Sequence, residues 1–240
     1  GGNEGGNIRG LEGDRVRLQV DGVSLPATYA SGPYAAGRGD TIDPEGYKRV
    51  ELLRGASSTQ FGSDGLAGTV SFVTKDPSDL LTLGKAQQFN IKSTYASVDN
   101  STQLAPSFAF AGDGVQGMVL ASLRRGHETD NMGTNDVANV NRTTPNPANN
   151  RADYVLAKLV LSPSAAHQIK LSAEALNRQN NTDILSFFGD SGTVATLTDV
   201  DATENIKRDL LRLEHRYAPT DTWFDILNTS FYAQQTNNQQ

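Results

Sequence analysis

Cysteine is absent from the 240 residues, which rules out disulfide staples and thiolate metal sites and agrees with export without demonstrating it. Basic residues are in deficit, 21 against 27 acidic for a net charge of -6. No cationic stripe follows a phosphate backbone, so nucleic acid is not expected as a partner. Long apolar runs are missing too. Nothing approaches the ~18 consecutive apolar residues of a spanning helix, and residues 1 to 10 lack the basic start and apolar centre of a signal peptide. That leaves membrane-crossing strands open. With three histidines, and no Ser-His-Asp or H-E-x-x-H pattern or outstanding carboxylate pair, no enzyme is expected and no catalytic or resident metal site is assigned.

What is present is glycine, 23 residues, and a 37% hydrophobic content dealt out in short alternating strips that suit strands with one wet face. Residues 7 to 80 alternate such strips, as in Arg15-Val-Arg-Leu-Gln-Val-Asp-Gly22, with glycine turns. Apolar residues there are too sparse for long amphipathic helices. Asp43-Pro-Glu-Gly-Tyr-Lys48 fits one short helix, with Asp43 as N-cap and Pro44 in the first helical position. Residues 1 to 84 thus read as a small mixed α/β unit ending in the acidic linker Asp76 to Gly84.

From residue 85 to 240 the pattern becomes segments of roughly 10 residues with period-two alternation, the length of a tilted membrane strand. In Gln88 to Val98, Phe89, Ile91 and Tyr95 share one face, opposite Gln88, Asn90, Lys92 and Thr94. Thr102 to Ala111 sends Leu104, Phe108 and Phe110 outward. Gln168 to Leu176 sets Ile169, Leu171, Ala173 and Ala175 against Lys170, Ser172 and Glu174. Lys207 to Tyr217 sets Leu211, Leu213 and Tyr217 against Arg208, Arg212, Glu214 and Arg216. Val115 to Arg125, Tyr154 to Leu161 and Trp223 to Ala233 are strand-like with mixed faces. Tight links at Gly112-Asp-Gly114, Ser162-Pro-Ser164 and Ala218-Pro-Thr-Asp221 alternate with long polar ones over about 128 to 150 and 179 to 206. Seven strands are too few to close a membrane barrel, and an open edge in hydrocarbon costs several kcal/mol per unpaired group. With chain ends that both look cut, this predicts an incomplete antiparallel transmembrane barrel, about seven strands of the roughly 22 in plugged outer-membrane transporters.

The motifs Ile8-Arg9-Gly10, Val20-Asp21-Gly22-Val23, Ile42-Asp43-Pro44-Glu45, Val50-Glu51 with Leu53-Arg54-Gly55, and Phe61-Gly62-Ser63-Asp64-Gly65 leading to Gly68-Thr69-Val70 together resemble the second half of the plug of a TonB-dependent outer-membrane receptor. Val20 to Pro26, Ile42 to Glu45 and Asp76 to Leu81 look most like the haem and haemoglobin receptor branch. The resemblance implies a Gram-negative outer-membrane active transporter that imports haem or haem-protein iron. A ferric siderophore is the alternative cargo, carried as ligand without a permanent cofactor. It implies TonB with its inner-membrane energising complex as partner, through a segment outside this chain. A passive porin or an adhesin-like barrel is the rival from another class.

The resemblance also implies that Arg9 and Arg54, with Glu51 beside them, latch the plug through ion pairs to barrel glutamates; local salt bridges within the plug are the alternative. It puts the loop holding Tyr29, Tyr34 and Arg38 at the plug apex facing ligand, where tyrosine stacks on a porphyrin or ligates ferric iron and arginine meets a propionate. His127, at the entry to a long outer loop, is the remaining ligand candidate, whereas His167 and His215 read as structural. Gly62 to Gly68 lacks the Lys-Ser/Thr ending of a phosphate loop and reads as turns. Arg38-Gly39-Asp40 also reads as a turn. Asp183, Asp190, Asp199, Asp201 and Glu204 match no calcium-loop spacing and read as solvated surface.

Overall fold

The computed structural model describes residues 15–26, 41–55, 67–189, 199–220 and 222–239. Two sheets account for nearly all of them. Strands β1 (Val16–Val20), β2 (Val23–Ser24), β3 (Tyr47–Arg54) and β4 (Gly68–Thr74) form a four-stranded sheet in the order β2-β1-β4-β3. The β1–β2 hairpin turns on Asp21 and Gly22, both at positive φ, the two-residue geometry that Asp-Gly favours. Strand β1 runs parallel to β4, which runs antiparallel to β3. Val16, Leu18, Val20, Leu25 and Ala67 bury together, with Ile42, Tyr47, Val70 and Phe72 packed against them. The expected short helix is a 3-10 turn, Pro44–Gly46, and the Asp43 carboxylate accepts from the Glu45 N–H at 2.9 Å.

The second sheet holds seven antiparallel strands in sequence order: β5 (Gln87–Ala96), β6 (Ser101–Gly112), β7 (Val115–His127), β8 (Ala148–Ser164), β9 (His167–Asp183), β10 (Asp201–Tyr217) and β11 (Leu227–Gln239). It does not close on itself, and β5 and β11 are its edges. Between the sheets, Asp76 and Pro77 start helix α1 (Pro77–Leu80), which the acidic linker hides in sequence; the Asp79 carboxylate accepts from the Asp76 N–H at 2.7 Å.

The faces follow the period-two reading. Phe89, Ile91, Tyr95, Leu104, Phe108, Leu171, Leu211 and Leu213 are exposed on one side. Ala109, Met118, Leu120, Tyr154, Leu156 and Leu176 are buried on the other, where Leu80 and Leu81 of the linker pack onto them. Strand lengths depart from the sequence reading. Strands β8, β9 and β10 each run 17 residues, so the long connections shrink to 128–147 and 184–200. The missed ends, such as Arg178 to Asp183, are polar on both faces and carry no hydropathy alternation, yet their backbones stay in register with Ala148 to Ala152 and Asp201 to Ile206. Trp223 lies ahead of β11, exposed in a longer turn.

Candidate functional site: the contact between the two sheets

The small sheet and its linker sit against the inward face of the large sheet, and charge carries much of the contact. Side chains on that face alternate with the outward apolar ones, which puts Lys92, Lys158, Lys170, Glu174 and Arg208 on the inner side of five different positions in β5, β8, β9 and β10. Lys158, Glu174 and Arg208 among them have lost bulk water and require partners.

Asp76 is the centre of the largest cluster. Its carboxylate accepts from Lys48 Nζ at 2.6 Å, Lys170 Nζ at 2.8 Å and Lys158 Nζ at 3.1 Å. Lys48 comes from β3 and the other two from the large sheet, so one carboxylate joins both sheets where the linker leaves β4. The Lys158 side chain is only 2% exposed; its second counterion, Asp21, lies at 3.8 Å. Asp21 in turn accepts from the Thr74 N–H at 3.0 Å and from the Thr74 hydroxyl. Burial by itself would raise the Asp76 carboxyl, but hydrogen bonds from Lys170 and Lys48 and the charge of Lys158 hold it well below the usual carboxylate range.

The 3-10 turn supplies a second set of contacts. Glu45 pairs with Lys92 of β5 and, at 3.8 Å, with Lys75. Ser122 of β7 donates to the Asp43 carboxylate at 3.1 Å, and Arg178 of β9 donates to the Ile42 carbonyl at 3.3 Å. Burial raises the Asp43 carboxyl despite the opposing hydrogen bonds from the Glu45 backbone and Ser122. Gly46 rests on the Tyr154 ring, and a Cβ there would fall 2.2 Å from the phenolic oxygen. Only glycine permits that approach.

Beneath Gly46 lies a buried ionic group. Glu174 accepts from Tyr154 Oη at 3.0 Å and from Arg208 Nη2 at 2.8 Å, with the Arg208 side chain wholly buried. Tyr47 Oη and the Nε and Nη1 of Arg208 have no hydrogen-bond partner among the described residues. Burial pushes the Tyr47 phenol far above its ordinary value, helped by the negative Glu174. At the β11 end, Gln234 donates to the Ser24 carbonyl at 3.2 Å.

Of the residues singled out from sequence, Arg9, Tyr29, Tyr34 and Arg38 lie outside the described residues. Glu51 and Arg54 are exposed on β3, and Glu51 accepts from Arg49 on the same strand at 2.6 Å. The described ion pairs to the wall therefore have the opposite polarity to the expected latch, with acids in the 3-10 turn and the linker and lysines on the wall. His127 ends β7 on the outward parity of Val119 and Leu123 and is exposed. His167 and His215 meet across β9 and β10, with Nδ1 and Nε2 3.0 Å apart and their rings stacked. Asp183 and Asp201 stand opposite each other at the outer ends of the same two strands. No group of three or more metal-binding side chains occurs among the described residues.

Residues 1–69 match the family model for the TonB-dependent Receptor Plug Domain. Transferrin-binding protein A of Neisseria meningitidis serogroup B is 35% identical over 138 residues, covering 53% of this chain and 15% of that protein. Hemoglobin-binding protein A of Haemophilus influenzae is 26% identical across 97% of this chain and 25% of its own length. Among solved structures, the FrpB iron transporter from Neisseria meningitidis (F5-1 variant) superposes with a TM-score of 0.75 at 20% identity, covering 99% of this chain and 36% of that one. The chain spans between about a seventh and a little over a third of the length of these three proteins.

Proposed function

We propose, from the membership of this chain in the TonB-dependent receptors, that it supplies the plug and first wall strands of an outer-membrane active transporter of a Gram-negative bacterium, importing haem or haem-protein iron. The observation that carries the reading is the small sheet lodged on the inward face of the wall by Asp76, Lys158 and Lys170. A barrel whose interior is filled in this way has no open path for passive flow, so cargo passes only when the plug is rearranged. That work falls to TonB and its inner-membrane energising complex. The haem preference is supported by the haemoglobin-binding relative, whose similarity runs through nearly the whole chain.

Within this reading the apical loop with Tyr29, Tyr34 and Arg38 meets the ligand, and Arg9 and Arg54 engage glutamates of the wall. No cofactor stays bound; haem is the cargo. The test is growth of a receptor-deleted host carrying the full-length gene, with haem, haemoglobin or a ferric siderophore as sole iron source. Rescue by haem or haemoglobin, abolished on deletion of TonB, is expected. Rescue by the siderophore alone overturns the cargo, and uptake that survives TonB deletion overturns active transport in favour of a porin or adhesin.

A further inference from the structure

On the outward face of the wall the apolar band ends abruptly, and two arginines stand at its border. Along β7 the outward positions from Val115 to Leu123 are apolar or glycine, a run of about 26 Å at ~3.3 Å per residue, which at a strand tilt of ~40° spans about 20 Å of a lipid-facing band about 25 Å tall. One step further on the same face is Arg125. Its direct cross-strand neighbours are Thr102 on β6 and Arg151 on β8, and Arg151 is in turn opposite Gln179 on β9. The next rung holds His127, Asn149 and Asn181. Together these line a cavity of about 320 Å³. It lies at the end of the wall with the long connections 128–147 and 184–200, which is the cell-surface end on the reading above.

Like charges directly opposite on a sheet repel. Asp153 lies between these two, accepting from Arg125 Nη1 at 2.7 Å and Arg151 Nε at 2.6 Å. One carboxylate neutralises one guanidinium, Arg125 Nη1 also donates to the Arg124 carbonyl at 2.7 Å, and both arginines remain about half exposed. Immediately below them Leu104, Leu123 and Val155 are exposed. A border between a cationic fork and an apolar slope is complementary to a molecule with a phosphate at one end and acyl chains at the other. Guanidinium pairs phosphate through two parallel hydrogen bonds.

We propose that Arg125 and Arg151, with His127 and Asn149 above them, bind the phosphate headgroup of a lipid of the outer leaflet, whose acyl chains run down the Leu104, Leu123 and Val155 face. The inference rests on the outer-membrane reading. The site is separate from the ligand path: it faces away from the plug, and it gives His127 a lipid contact in place of a cargo contact.

The test uses the full-length receptor folded into neutral detergent micelles, with barrel formation read from heat-dependent electrophoretic mobility and lipid retention from native mass spectrometry. The probes are bisphosphorylated lipid A, its dephosphorylated form and inorganic phosphate. Retention of the phosphorylated form is expected, falling at least about tenfold in the exposed-site double variant R125Q/R151Q, less in R125K/R151K, and not at all in R216Q at the opposite end of the wall. Equal retention of the dephosphorylated lipid, or retention unaffected by R125Q/R151Q, overturns the site. Displacement of the lipid by millimolar inorganic phosphate overturns the lipid as occupant. Failure to form a detergent-stable barrel refutes the outer-membrane reading itself, and the site with it.

Discussion

Replacing Asp76 by asparagine removes one negative charge and leaves three lysines facing one another. At an effective dielectric of ~20, a unit pair at the 3.1 Å separation of Lys158 and Asp76 attracts by about 5 kcal/mol, much of it offset by the desolvation of both groups. Lys48 and Lys170 keep about a quarter of their side-chain surface and recover hydration when the partner is lost. Lys158, at 2% exposure, does not, and it retains only Asp21 at 3.8 Å. An uncompensated buried charge costs roughly 3–5 kcal/mol; the remaining Asp21 contact sets the expectation at the lower end, about 3 kcal/mol. The plug-detached state should therefore become roughly a hundredfold more populated, with the barrel wall unaffected.

Hydrogen exchange of the full-length receptor in detergent reads this directly. Amides of β1 and β4 should lose protection in D76N while those of β8 and β9 keep theirs. The double variant D76N/K158M, which puts an apolar chain of similar length in place of the stranded ammonium, should recover more than half of the loss. If D76N leaves β1 and β4 protected, or if K158M does not restore D76N, then Asp76 does not hold the plug through Lys158 and the reasoning fails.

Other perturbations separate the remaining contacts. Gly46→Ala forces a methyl group into the Tyr154 ring, and limited proteolysis should then cut the linker 75–86 faster than in the unaltered protein. Arg208→Met strands Glu174 in a dry site and should destabilise the wall by about 3–5 kcal/mol in denaturant unfolding, whereas E174Q/R208M should cost clearly less because no charge is left unpaired. The pH response should have two limbs. Asp76 has a lowered folded value, so its stabilisation is complete above ~3.8 and is lost as pH falls below that range. Asp43 has a raised folded value, so its contribution is complete below ~3.8 and is lost as pH rises through the raised value. Plug protection should accordingly rise on mild acidification and fall on strong acidification, and D43N should abolish the rise.

The faces of the wall were legible because a strand between lipid and a filled interior must alternate: Phe89, Leu171 and Leu213 on one side, Lys170, Glu174 and Arg208 on the other. The ends of the strands were not, because beyond the apolar band both faces meet water or polar loops, and only backbone pairing, as between Arg178 and Ile206, keeps the chain extended. The short helix α1 escaped for a related reason: four residues carry no periodicity, and only Asp76 ahead of Pro77 with Asp79 following marks its start.

The Arg-Gly motifs drew attention to Arg9, Arg54 and Glu51, while the contacts described between the sheets run through Asp43, Glu45 and Asp76. Their signal was present in the wall. Lys158 and Lys170 occupy the inward parity of strands whose outward residues are apolar, and a lysine taken out of water, as Lys158 is, needs a carboxylate opposite. Asp43, Glu45 and Asp76, which meet the inward side chains of the wall, are the acids that a filled interior brings there. Charge on the inward parity thus tells of the plug as surely as apolar residues on the outward parity tell of the lipid. The same logic makes the outward Arg125 and Arg151 informative: with a lone carboxylate between them and an apolar slope below, what balances them must come from the membrane side.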